Sequence, residues 1–402
     1  MKILMLTPYL PFPPSSGGQI RSYNLIKQLS KKHEITLFCY IRSKEEEKFI
    51  PELKKYCKKI RVFGRRRAWS PLNIILAGLT QYPFLVCIYL SQYFRKAVSE
   101  ELAGSSYDLI HAETFYVMTN IPKTKTPTLL VEQTIEHLVY KHYVESLKNP
   151  LLRWLLSIDV TKLRYWEKYF WAKADGVVAV SEEDKKEMLN LDPGLKVDIV
   201  PNGVNLDFFK IKDSWKDKNP RILFVANFKW LQNIEAVKLL LKEVFPLIHK
   251  KDESVRVWIV GQHIPREILE YKSENILIDN LREDDQEGIR DAYFRSSVFV
   301  SPLRGPGGTR LKHFGAMAAK LPLITTSVGA EGLGAKDGRE IIVKDDPQDL
   351  ADAVLRVLND PDYAKRIAEN ARRLVEEKFS WYKMGGYLDK IYEKTRAFRN
   401  NS

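Results

Sequence analysis

The sequence predicts an α/β protein built from two parallel-sheet units in tandem, on three observations. Short β-branched runs alternate with longer amphipathic stretches along almost the whole chain. The runs are nearly continuous in apolar residues, the pattern of parallel strands covered by helices on both faces. The alternation halts once, at a polar stretch near the middle, and then restarts. At 402 residues the chain exceeds one ordinary domain, and its 45% hydrophobic and 29% charged content can build large cores without metal or disulfide support.

In the first unit, KILMLT (2–7), EITLFCY (34–40), KIRVFG (59–64), DLIHAE (108–113), TLLVEQ (128–133) and GVVAVS (176–181) read as strands. The opening MKILMLTPYLPFPP has too short an apolar run before its prolines to be a secretion signal, and reads as a buried first strand. Helix-like stretches separate most of the strands, beginning with GQIRSYNLIKQLSKK (18–32). SIDVTKLRYWEKYFWAK reads as a long helix, and Ser181, three residues before Asp184, as the N-cap of the next one. VDIVPNGVNLDFF (197–209) leads into KIKDSWKDKNP, a charged linker closed by Pro220.

In the second unit RILFVAN (221–227), VRVWIVG (255–261), ILIDNL (276–281), VFVSPL (298–303), LPLITT (321–326) and EIIVKD (340–345) read as strands. Each unit is thus of Rossmann type, with a cleft expected between them. The tail FSWYKMGGYLDKIYEKTRAF has helical periodicity with no strand after it and reads as a terminal helix packing back on the first unit. The expected domains are 1–203, 204–379 and the helix 380–402.

The net charge is +13, from 64 basic and 51 acidic residues, which favours an anionic partner. The excess is concentrated in ELKKYCKKIRVFGRRRAW, followed by the apolar SPLNIILAGLTQYPFLVCIYLSQYF. Pro71, Asn73, Gln81 and Pro83 interrupt that segment, whereas crossing a bilayer needs about 20 consecutive apolar residues. Two readings stay open. Basic residues beside Trp69, Leu72, Ile75, Leu76 and Leu79 fit a surface lying on an anionic membrane, and they equally fit a core helix next to a solvated loop. No nucleic-acid module accompanies the cluster, so nucleic acid is not an expected partner. Cys39, Cys57 and Cys87 form no CxxC pair and have no metal-type spacing, which points to reduced thiols in the cytoplasm and no metal site.

Ligands of open α/β sheets bind beyond the carboxyl ends of the strands, so the loops there carry the candidates. Gly17-Gly18 opens the first helix, where free amides attract anions; a merely structural turn is the competing reading. No GxGxxG fingerprint follows either first strand, which disfavours a nicotinamide enzyme. In SPLRGPGGTRLKHFGAMAAKLPLITT, Gly305, Gly307 and Gly308 precede a helix with Thr309 at its start and Arg310 and Lys312 in its first turn. Cations there oppose the helix dipole, so stability alone does not explain them; they suit a diphosphate gathering charge as it leaves. In FVANFKWLQNIEAV, Asn227, Lys229 and Asn233 line a loop from which Lys229 would reach the same diphosphate. Glu132, Gln133, Glu136 and His137 follow a strand, and Glu132 or Glu136 would serve as a base, against the plainer role of a helix N-terminal carboxylate. His111 reads as a satisfied buried histidine.

With these residues in place, the chain resembles a GT-B glycosyltransferase of the family-4 type over nearly its whole length. TPYLPFPPSSGGQIRSYNLIKQLS, LRYWEKYFWAKADGVVAVSEED with VPNGVNLDFF, FVANFKWLQNIEAVKLLLKEVFPLI and SPLRGPGGTRLKHFGAMAAKLPLITTSVGAEGL carry the resemblance in order and spacing. It implies two Rossmann-like domains facing across a cleft with a C-terminal helix crossing back. It also implies transfer of a sugar from a nucleotide diphosphate donor with retention of configuration, without a metal, to a glycan or lipid-linked acceptor of the cell envelope. Arg310, Lys312 and Glu136 are then the expected catalytic residues, and Gly17, Gly18, Asn227, Lys229, Gly307, Gly308, Thr309 and Glu331 the donor-binding ones.

One departure stands out. Family members usually flank this phosphate loop with two glutamates, one facing the donor sugar and one bonding the ribose; here Gly307 and Gly315 occupy those positions, and Glu331 in VGAEGL is the residue left to compensate. The histidine usual after the fifth strand also has no clear counterpart, Glu132 or Gln133 standing near its place. The alternatives are a nucleotide-sugar epimerase on the same fold and a catalytically degenerate partner subunit.

Overall fold

The computed structural model describes residues 1–305 and 310–400, with side chains to Ala397. The chain divides into two compact units, Met1–Pro201 together with the chain from Tyr382 onward, and Asn202–Trp381. Both are parallel α/β sheets of Rossmann type.

The first unit contains β1 (Lys2–Thr7), β2 (Glu34–Ile41), β3 (Lys59–Gly64), β4 (Leu109–Glu113), β5 (Thr128–Val131), β6 (Gly176–Ala179) and β7 (Val197–Ile199). They are ordered β3-β2-β1-β4-β5-β6-β7, and Ile3 of β1 pairs with Ile35 of β2 on one side and Leu109 of β4 on the other. The strand order therefore reverses between β1 and β4. Continuous apolar runs make this possible: Leu4, Leu6, Leu37, Leu109, Ile110 and Leu129 are all fully enclosed, as strands covered on both faces require. β7 has three residues and a half-exposed Asp198, too little apolar character to announce a strand in the sequence. Ser181 caps the next helix as expected, its Oγ accepting from Asp184 N at 3.0 Å.

The terminal helix Trp381–Asn400 lies on this unit from Tyr382 onward. Met384, Leu388 and Tyr392 are fully buried, Asp389 meets Lys32 at 2.7 Å and His33 at 2.9 Å, and Lys394 meets Asp198.

The segment after the arginine run divides: the helix Phe84–Tyr89 is core, burying Val86, Cys87, Ile88 and Tyr89, whereas the core-helix reading is corrected for the stretch before it. The helix Pro71–Leu79 buries just Asn73, whose Nδ2 donates to the carbonyls of Arg67 and Ala68 at 2.9 and 3.0 Å. Trp69 is 73% and Leu79 84% exposed.

The second unit contains β8 (Arg221–Asn227), β9 (Arg256–Gln262), β10 (Ile276–Asn280), β11 (Val298–Ser301), β12 (Leu323–Thr325) and β13 (Ile342–Val343), ordered β10-β9-β8-β11-β12-β13. Here the order reverses between β8 and β11. The last two strands are shorter than the apolar runs suggest, because capping takes their ends. Thr326 Oγ1 accepts from Gly329 N at 3.1 Å, and Asp345 Oδ1 accepts from Ser327 N at 2.8 Å. Phe224, Ile259 and Val300 anchor the core beneath the reversal.

Candidate active site

In the second unit the reversal between β8 and β11 opens a crevice beyond the carboxyl ends of the strands. β8 ends on Asn227, which organises the loop after it. Its Oδ1 accepts from Lys229 N at 3.1 Å, its carbonyl accepts from Asn233 Nδ2 at 2.8 Å, and its Nδ2 donates to Gln262 Oε1 at 3.2 Å. Asn233 is thereby held with Oδ1 toward Lys312, whose Nζ donates to it at 2.7 Å. Lys312 Nζ also stands 4.7 Å from the Phe224 ring centroid.

Arg310 and Lys312 frame the start of the helix Leu311–Ala318. Arg310 is the cap residue rather than a first-turn residue, because its side chain folds back to donate from Nη2 to the Gly305 carbonyl at 2.9 Å. It is 9% exposed. Burial, and then the Arg310 charge, hold the Lys312 ammonium well below the usual lysine range. Two cations two residues apart, one resting on a neutral amide oxygen and an aromatic face, form a place where negative charge is favoured. Both are turned inward onto partners within the unit, Arg310 buried and Lys312 half-buried.

Other expected donor-site residues fare differently. Lys229 does not join the pair: Glu283 takes its Nζ at 3.0 Å and also meets His263 Nε2 at 3.0 Å, so a nearby carboxylate captures it. Asn227 shapes the loop with its polar atoms rather than presenting them. Gly307, Gly308 and Thr309 lie outside the described residues. Glu331 is exposed at the end of the helix Ser327–Ala330. That helix does adjoin Leu311–Ala318, since His313 Nδ1 donates to the Gly329 carbonyl at 2.9 Å. At Gly315 an added Cβ would lie 2.9 Å from the Phe209 ring and 3.1 Å from Tyr293, so two aromatic rings close the position that a glutamate usually takes in the resembling family.

In the first unit the reversal lies between β1 and β4. The helix Gly17–Leu29 follows β1 with Ser16 as its cap. Gly18 has a packing reason: its Cβ would stand 2.5 Å from both Tyr9 Oη and Gln133 Oε1. Sequence reasoning missed the polar network beneath. Arg21, fully enclosed, donates from Nη1 to the Pro201 carbonyl and from Nη2 to the Val200 carbonyl, each at 2.9 Å, with Nε 3.8 Å from Glu113 Oε1. Glu113 accepts from His111 Nε2 at 2.6 Å and from Gln133 Nε2. His111 Nδ1 meets the Tyr392 hydroxyl at 2.5 Å, so the satisfied-histidine reading holds. Burial would lift the Glu113 carboxyl, but His111, Arg21 and Gln133 hold it below the usual range. Thr114, next in the chain, has φ 68°, a strained value for a β-branched residue that clusters with functional loops. A glutamate ending an apolar strand in DLIHAE was the available signal.

Beyond β5 lies an acidic group. Glu132 is buried with Oε1 accepting from Trp171 Nε1 at 2.9 Å, and burial and then Glu167 raise its carboxyl well above the usual range. Glu167, from the helix Pro150–Lys173, caps the helix Glu136–Glu145, accepting from Glu136 N at 2.7 Å, His137 N at 3.1 Å and His137 Nδ1 at 2.5 Å. Glu136 is therefore not the carboxylate that stabilises its helix start. Burial and the Glu167 charge push it up to about 8, so it holds a proton at neutral pH.

Comparison with known proteins agrees with this geometry. Residues 15–208 match the model of glycosyltransferase family 4, and residues 219–360 that of glycosyl transferases group 1. The chain belongs to the family-4-like GT-B glycosyltransferases. It is 26% identical over 98% of its length to an uncharacterized glycosyltransferase of Methanocaldococcus jannaschii, 98% of which is covered. A 44.6 kDa protein in the cps region of Klebsiella pneumoniae is 20% identical, with 94% of this chain and 96% of that protein aligned. The capsular polysaccharide biosynthesis glycosyltransferase CapM of Staphylococcus aureus is 23% identical over 59% of this chain and 68% of its own. Among solved structures, sucrose-phosphate synthase from Thermosynechococcus elongatus superposes with a TM-score of 0.71 at 17% identity, covering 99% of this glycosyltransferase and 100% of the synthase. Anabaena HepE in complex with UDP and glucose superposes at 0.64 and 14% identity, covering 98% and 100%.

Proposed function

We propose that this glycosyltransferase moves a hexose from a nucleotide diphosphate donor to a glycan or lipid-linked acceptor, with retention of configuration, in polysaccharide synthesis at the cytoplasmic side of the envelope. The observation that carries the reading is the Arg310–Lys312 pair, the arginine buried and the lysine half-buried, at the strand-order reversal of the second unit. As the bond from the sugar's anomeric carbon to the diphosphate oxygen breaks, negative charge collects on the leaving group. The acceptor hydroxyl oxygen bonds to the same carbon and its proton passes to the departing diphosphate oxygen. Cations already held in a poorly solvated place stabilise that leaving charge without reorganising. The capture of UDP by HepE and the name of CapM support the donor and acceptor classes by likeness. Buried, unpaired Cys39, Cys57 and Cys87 support a reducing compartment. The reading uses no metal, as the family resemblance implies.

The test is calorimetry against a panel of nucleotide diphosphates and their sugars, followed by transfer assays with and without chelator. Binding by wild type and its loss in Arg310→Ala are expected. Binding of no nucleotide would make the chain a degenerate partner subunit, a reading favoured by the closed position at Gly315. Release of nucleotide diphosphate from donor alone with an epimerised sugar would make it an epimerase.

A further inference from the structure

The first unit exposes apolar surface at one place far beyond what isolated surface residues explain. The helix Pro71–Leu79 turns Ile75 and Leu79 to solvent, with Trp69 just before it. The first two turns of the helix Pro150–Lys173 do the same nearly all round, with Leu151 72% and Trp154 64% exposed and Leu155 open beside them. The two helices are fastened together. Lys162 Nζ donates to the carbonyls of Ala77 and Thr80 at 2.7 and 2.8 Å, closing the C-terminal end of the shorter helix, and Trp166 Nε1 donates to the Gln81 carbonyl at 2.9 Å. A helix end whose exposed surface is apolar but for one arginine, Arg153, is ordinarily covered by something.

Charge identifies what covers it. Arg67 leads exposed into the shorter helix, Arg65 and Arg66 being half-buried on the Tyr89 hydroxyl and the Leu90 carbonyl, and no acidic residue occurs from there to Gln81. The longer helix has five basic residues against two acidic ones, and both acids are used internally: Asp159 accepts from Phe84 N at 2.9 Å and Glu167 caps the helix Glu136–Glu145. A second copy docking by two-fold symmetry would set this basic rim against itself. An anionic bilayer satisfies both components, taking the tryptophans and leucines into the headgroup boundary and the basic rim among lipid phosphates. No described helix is long and apolar enough to cross a membrane, so the contact is one of lying on the surface.

We infer that the outer face formed by Pro71–Leu79 and the start of Pro150–Lys173 is a docking surface for an anionic membrane. The inference stands apart from the sugar-transfer reading, since its readout is partition and not activity. Full-length protein is sedimented with vesicles of phosphatidylcholine containing about a third phosphatidylglycerol, and with pure phosphatidylcholine, at low and high salt. Wild type pellets with the anionic vesicles at low salt. Trp154→Glu/Leu155→Glu, at exposed positions, keeps the wild-type circular dichroism and melting curve but partitions at least about tenfold less. Wild type remaining in the supernatant at low salt overturns the inference, as does a double variant that pellets like wild type. A wild-type dimer in light scattering that the variant dissolves overturns it too, and assigns the face to self-association.

Discussion

Replacing Lys312 by methionine should make the protein more stable and less active. The side chain keeps its reach across the Phe224 ring but loses its charge. Three contributions set the stability change. Enclosing an ammonium costs several kcal/mol after relaxation, and Arg310 adds repulsion. Against this, a charged hydrogen bond such as that to Asn233 returns about 1.5–3 kcal/mol and a cation–π contact about 0.5–2. With a neutral hydrogen-bond partner and a like charge two residues away, the penalty outweighs the return. The net gain for Lys312→Met is on the order of 1–2 kcal/mol at neutral pH. For a unit the size of Asn202–Trp381 that is roughly 2–8 °C in Tm. The sign with pH follows. Because Lys312 gives up its proton more readily folded than unfolded, wild-type stability rises as pH climbs from its folded pKa toward the unfolded 10.5, and the variant's advantage shrinks over that window. Transfer falls about 10²–10³-fold by analogy with removal of one oxyanion donor. Melting curves from neutral to alkaline pH and a chromatographic transfer assay read both. A variant that melts below wild type at neutral pH refutes the burial argument, and wild-type turnover refutes the role in donor binding.

Glu136 holds its proton more tightly folded than unfolded, so its contribution is greatest below about 4.5 and falls as pH rises through about 8. Glu136→Gln should therefore melt like wild type in acid and be about 1–2 kcal/mol more stable near pH 9, measured as the difference between paired melts. Gly315→Ala should lose about 1–3 kcal/mol by pressing on Phe209 and Tyr293, and Gly315→Glu should lose more without raising transfer; a melt equal to wild type for the alanine variant shows that the rings yield freely. Arg21→Met should lose about 3–5 kcal/mol and leave the first unit molten at ordinary temperatures, because Glu113 stays buried without its cation; thermal unfolding followed at the first unit's tryptophans checks it.

Much of the fold is legible because its strands are enclosed on both faces, and enclosure writes a continuous apolar run into the chain. Twelve of the strand readings correspond to strands, and β7 escaped because an edge strand of three residues has no such run. The helix Pro71–Leu79 was ambiguous for the converse reason: an apolar helix has the same composition under a core as under a lipid surface, and its solvent exposure is a tertiary fact. At the site, cations placed against a helix dipole drew attention to Arg310 and Lys312, and the structure holds both side chains on partners within the unit. Lys229 misled, since the partner that captures it, Glu283, is 54 residues away in sequence. Arg21 and Glu167 were not legible at all. Each is one charged residue in an ordinary-looking helix, and its meaning comes from partners 30 or more residues distant.

Both units bury cations at the point where strand order reverses, yet the two cases differ in what their partners leave unfinished. Arg21 has two backbone carbonyls and a carboxylate at hand, so its charge is answered inside the protein and its natural role is to hold β4, the first helix and the Val200–Pro201 turn together. Lys312 has an amide oxygen and a ring, neither of which carries a charge, and the neighbouring charge that acts on it is the like charge of Arg310. A protein gains little in stability from that arrangement; a diphosphate entering it meets two cations already drawn largely out of solvent. The same substitution to methionine therefore acts with opposite sign at the two positions, lowering the melting temperature at Arg21 and raising it at Lys312. That opposition separates a cation used for folding from one held in reserve for a ligand.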